Sequence, residues 1–143
     1  ERILVASDAL GDAKWFIKTA TEYANERKVF GRPIGQNQGI QFPIAEVWAQ
    51  TQAAELMVRK ASALFEAGQP CGAEANTAKY LAAEASWKGA DVCMQTFGGF
   101  GYAEEYNVER KFREARLYRT APISSNLILG FIGEHVLGMP RSD

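Results

Sequence analysis

Three short stretches of the 143-residue chain carry residue types that chemistry uses. "NERKVFGRPIGQNQ" sets Arg27, Lys28, Phe30, Arg32 and Gln38 around a helix end and a glycine-rich turn. A guanidinium beside free main-chain N–H groups suits a phosphate, because it forms bidentate, charge-assisted hydrogen bonds. Arg27 and Lys28 equally suit the negative end of a helix. "QTFGGFGY", residues 95–102, places glycines among aromatic rings. A helix that ends at Gly98 and Gly99 exposes amides and carbonyls to a flat or phosphorylated ligand, with Gln95 leading in and Phe97 and Phe100 able to pack against it. A helix cap and tight turn is the purely structural account. "APISSN" puts Ser124, Ser125 and Asn126 in the opening turns of the last helix, where unpaired N–H groups favour an anion or a polar ring edge. An ordinary serine N-cap is the alternative there.

The elements that must position these groups are helices. Ile3, Ala6, Leu10, Ala13, Ile17, Ala20 and Ala24 recur at steps of three and four, predicting a first helix from Ile3 to Tyr23. Gly31, Pro33 and Gly35 end it in a polar loop. A second helix is expected from Gln38 to Ala67, with Pro43 confined to its first turns. The alanine-rich run from Gly72 to Phe97 reads as a third, small along its inward face so that neighbours approach closely. "NVERKFREARLY" reads as a short charged helix. Pro122 then opens a last one, ended by Gly138 and Pro140. No alternating strand pattern is present. Three helices of more than 20 residues joined by short loops, closed by a fourth, predict an all-α, up-down four-helix bundle over residues 1–143.

Composition narrows the function. At 47% hydrophobic and 23% charged residues the chain has the balance of a soluble globular domain, and a net charge of -1 gives no electrostatic reason to bind nucleic acid or an anionic membrane. No apolar run reaches the roughly 18 residues of a membrane span. Cys71 and Cys93 sit in no CxxC, and a lone His135 makes no histidine-based metal site, so no metal is expected and a reducing compartment fits. There is no GxGxxG after a strand, Walker loop, HExxH or GxSxG. The opening "ERILVASDAL" is already helical in pattern, as expected of a domain within a longer polypeptide.

The order of the clusters says more than any one of them. "ERKVFGRPIGQNQ" is similar to the "ERxxFGxxxxxxQ" signature, and "GGFGYAEEYNVERKFREA" to the "GGxGYxxEYxxERxxRDA" signature, of the acyl-CoA dehydrogenases. The chain resembles their C-terminal helical domain over nearly its whole length. That resemblance implies FAD as cofactor, an acyl-CoA thioester as substrate, electron-transfer flavoprotein as acceptor, and a homo-oligomer, dimer or tetramer, in a bacterial cytoplasm or mitochondrial matrix. It assigns Arg27, Phe30 and Gln38 to the pyrophosphate and adenosine side of FAD across a subunit interface, and Gln95, Gly98 and Gly99 to the dinucleotide of a neighbouring subunit. It places Ser124 and Asn126 against the flavin.

One departure bears on mechanism. Many members carry a catalytic glutamate in an "EGT" motif, and the aligned position here is Pro122, which can neither take nor give a proton. Isovaleryl-CoA and long-chain members instead place the base in an "ER" pair on the first long helix, which matches Glu1, with Arg2 beside it at the substrate. A non-catalytic or assembly subunit that helps hold a partner's FAD is the alternative that Pro122 favours.

Overall fold

The computed structural model describes residues 1–141. Helix α1 spans Arg2–Glu26, α2 Gln38–Glu66, α3 Gly72–Phe97, α4 Val108–Tyr118 and α5 Ser125–Phe131, the last continued by a wider π turn over Ile132–Val136. The all-α bundle expected from the periodicity is what forms, and α2 and α3 begin where the sequence places them.

Two core clusters reveal the direction of each helix. One joins Ala6, Ala9 and Leu10 at the start of α1 to Val58 and Ala61 late in α2, Ala78 and Ala82 early in α3, and Tyr118 at the end of α4. The other joins Phe16 and Ala20 to Ile44 near the start of α2, Cys93 and Phe97 at the end of α3, and Val108 and Phe112 at the start of α4. The four helices therefore alternate up, down, up, down, as short connections require. The helix that completes the bundle is α4; α5 packs along α3 beyond it.

Alanine explains the geometry. Ala6, Ala9, Ala13 and Ala20 of α1 and Ala78, Ala82, Ala85 and Ala90 of α3 are all buried, so the two helices approach closely along small side chains, with Leu10 and Phe16 the larger groups of α1 packed among them. Where α2 joins them, a Cβ on Gly89 would lie 3.3 Å from Val47 Cγ1 and 3.5 Å from Phe16 Cβ. The seam has no room for a larger side chain.

Two expectations are corrected. The segment after α1 is not plain loop: Lys28–Val29 and Arg32–Pro33 pair antiparallel as a ribbon, β1 and β2. The last helix does not open at Pro122. It starts at Ser125, because Ser124 is extended and its Oγ accepts from the Leu127 N–H at 3.3 Å, which makes Ser124 the N-cap.

Candidate functional site

At one end of the bundle the last turn of α1, the ribbon and the end of α3 enclose an open cleft of about 490 Å³, and its lining includes Arg27, Gln95, Gly98 and Gly99. Six of the residues singled out in the sequence, these four with Phe97 and Phe100, thus meet in space. Arg27 leaves α1 with extended backbone, and its guanidinium carbon sits 5.7 Å from the centre of the Phe100 ring. Below it, Tyr23 stacks on Phe97 with ring centres 4.0 Å apart, and Tyr106 meets Phe97 edge-on at 5.4 Å. Phe97 is buried by this stack, so it forms the cleft's floor, whereas the half-exposed Phe100 is left at the wall. Tyr23 and Tyr106 are given no site role by the sequence, since only the fold brings α1 beside the loop after α3.

The three glycines of "GGFG" stand in three different situations. Gly98 ends α3 at φ 58°, ψ -133°, a region that side chains oppose. Gly101 is held by packing: a Cβ there would fall 2.6 Å from Met94 Sδ and 3.2 Å from its carbonyl oxygen. Gly99 has neither reason, because its φ is ordinary and a Cβ would meet nothing within 4 Å. Its bareness serves nothing inside the chain.

Phe30 stands at the ribbon tip, fully exposed. It and Gly31 both take positive φ, 53° and 78°, as a two-residue type I′ hairpin requires, and glycine or asparagine is the usual choice where Phe30 sits. Arg32 braces the ribbon by donating to Asn37 Oδ1 at 2.9 Å. Gln38 is the exposed first residue of α2 next to this brace. Neither Phe30 nor Gln38 lines the cleft.

The remaining candidates lie in the other half of the bundle. Glu1 and Arg2 are exposed at the start of α1, where the Glu1 carbonyl accepts from the Val5 N–H at 3.1 Å. Ser124 caps α5 and Asn126 is exposed in its first turn, while Ser125 Oγ donates to Glu84 at 3.3 Å. The same turn is held by Lys79, which has no solvent exposure and donates to the main-chain carbonyls of Tyr118 and, at 2.7 Å, Ile123. Burial holds the Lys79 ammonium below the usual lysine range, with Glu84 opposing. Arg119 Nε also donates to Glu84, at 2.8 Å. Lys79 and Glu84 were missed in the sequence; the one available signal is that Ala75, Ala78 and Ala82 put position 79 on the inward stripe of α3. Elsewhere Asp12 and Lys111 form an ion pair between α1 and α4. Among the described residues no group of His, Cys, Asp or Glu could hold a metal and no helix could cross a membrane.

The family model for the acyl-CoA dehydrogenase C-terminal domain matches residues 1–137. The chain belongs to the acyl-CoA dehydrogenase C-terminal domain family. Acyl-CoA dehydrogenase FadE12 of Mycobacterium tuberculosis is 42% identical over 144 residues, covering 99% of this chain and 37% of that protein. The mitochondrial short/branched chain specific acyl-CoA dehydrogenase of Rattus norvegicus is 37% identical over 135 residues, with 94% and 31% covered. Butyryl-CoA dehydrogenase of Megasphaera elsdenii superposes with a TM-score of 0.92 at 34% identity, over 95% of this chain and 36% of that one. This acyl-CoA dehydrogenase domain thus spans about a third of the length of these relatives.

Proposed function

We propose that the enzyme containing this domain performs FAD-dependent α,β-dehydrogenation of an acyl-CoA thioester and passes the electrons to electron-transfer flavoprotein. The observation that carries the reading is Gly99: bare main chain facing open space, beside Arg27, in a cleft at the end of α3. A pyrophosphate fits this chemistry, since Arg27 supplies bidentate charge-assisted donors and the glycines let a ligand reach the backbone. Gln95, Gly98 and Gly99 line the dinucleotide of a neighbouring subunit, with Phe30 and Gln38 reaching it from the ribbon side. Ser124 and Asn126 meet the flavin.

FAD, when bound, supplies the acceptor for the β hydrogen and its electron pair. Glu1 takes the α proton, and the α and β carbons are left joined by a double bond. A carboxylate is a weak base, so this step requires a dry, substrate-filled surrounding that raises its proton affinity. Hydrogen bonds to the thioester carbonyl stabilise the charge that develops as the proton leaves. Arg2 lies beside Glu1 to hold the substrate. Phe42, Trp48, Leu56 and Phe65 leave four large apolar side chains of α2 exposed, which suits cover by further copies of the chain.

Glu1→Gln in the intact enzyme is expected to abolish dehydrogenation while leaving flavin bound; unchanged turnover would remove Glu1 from this role. The second reading, a non-catalytic subunit that only helps hold a partner's FAD, is favoured by Pro122 at the aligned glutamate position. Bleaching of the flavin spectrum on adding acyl-CoA separates the two, since a non-catalytic assembly does not bleach.

A further inference from the structure

We propose that Lys79 is a positioning residue, its buried side chain fixing the turn that presents Ser124 and Asn126 to the flavin. This rests on the function proposed above. A lysine stem is long enough to carry its charge to solvent, yet this one ends on two main-chain oxygens. The Tyr118 carbonyl is one of the acceptors that the end of α4 leaves without a helical partner, and Ile123 directly precedes the N-cap of α5. One side chain of α3 therefore joins the end of one helix to the start of the next.

Glu84, a little over one turn further along α3, tethers the same turn by accepting from Arg119 and from Ser125. Ile123 and Ser125 are thus pinned on either side of Ser124, and the following residue, Asn126, is left facing solvent. Stability alone does not call for a buried charge here, because well-packed apolar replacements of buried ionic groups are often neutral or stabilising. A charge retained for two carbonyls is explained by the need to hold the turn in one place.

The test uses the intact flavoenzyme with Lys79→Met, which keeps the stem but not the donors, and Lys79→Arg, which restores donors. In Lys79→Met the amides of residues 119–126 are expected to exchange with solvent about tenfold faster, the loss expected for a charged hydrogen bond. Amides of α1 and the second half of α3 stay unchanged, the visible flavin band shifts, and Lys79→Arg recovers part of both effects. Unchanged exchange in the turn overturns the proposal. So does a loosened turn with an unmoved flavin band, provided that Ser124→Ala with Asn126→Ala does move it. If that double variant also leaves the band unmoved, the flavin assignment of the turn has failed and takes this inference with it. Should Lys79→Met not fold, Glu84→Ala offers the same readouts from the partly exposed side of the turn, and its failure to loosen residues 119–126 overturns the clamp.

Discussion

The Arg27 guanidinium stands over the face of Phe100, so a cation at the end of α1 and an aromatic ring after α3 form one wall of the cleft. Removing this arginine separates binding from folding. Arg27→Ala is expected to weaken FAD retention in the intact enzyme by about 10- to 100-fold, the equivalent of a charged hydrogen bond. Unfolding of the flavin-free protein should move by less than about 1 kcal/mol, since an exposed cation–π contact contributes no more. Flavin absorbance after gel filtration and a urea titration read the two quantities. Arg27→Lys should not restore retention in full, because an ammonium cannot make the bidentate contact.

The glycines at the end of α3 give a graded series. Gly98→Ala is expected to cost about 1–3 kcal/mol through its positive φ. Gly101→Ala should cost a similar amount, about 1–3 kcal/mol, through overlap with Met94. With both proteins flavin-free, Gly99→Ala should lie within about 0.5 kcal/mol of the parent in urea, as a surface change does, yet it should lose flavin. A Gly99→Ala enzyme with full flavin content would contradict the proposed approach to its backbone.

The Asp12–Lys111 pair ties α1 to α4 with side-chain exposures of only 9% and 19%. Lys111→Met leaves a nearly buried carboxylate without its cation, and is expected to cost about 2–3 kcal/mol, at or below the low end for a fully buried pair. Adding Asp12→Leu should recover most of that loss. A double-mutant cycle in urea measures the coupling.

Burial and the nearby Asp12 carboxylate push the Tyr118 phenol up to about 12. Of the five tyrosines, Tyr118 should therefore ionise late, as a step in tyrosinate absorbance that Tyr118→Phe removes. The sign follows from linkage. The folded state holds this proton more tightly than the unfolded chain, so the stabilisation is complete below the ordinary tyrosine value of about 10 and is lost as pH rises toward 12.

Periodicity made α1, α2 and α3 legible because each buries one stripe of small apolar residues, and the cleft was partly legible because its residues sit at helix ends marked by glycine. The ribbon was hidden, since strands of two residues carry no alternation and depend on a left-handed Phe30 that the sequence does not advertise. The start of α5 was misplaced because proline and serine both mark helix openings, and the Ser124 hydroxyl decides between them. The role of Lys79 was hidden for a different reason. Its partners are main-chain oxygens 39 and 44 positions away, and no pattern of residue types encodes a carbonyl.

The close fit of α1 against α3 makes the second of these helices a ruler. From Lys79 to Phe97 a straight helix rising about 1.5 Å per residue measures about 27 Å, and a rod packed along alanine cannot shorten. Whatever occupies the cleft and whatever touches the turn after α4 are held at that spacing.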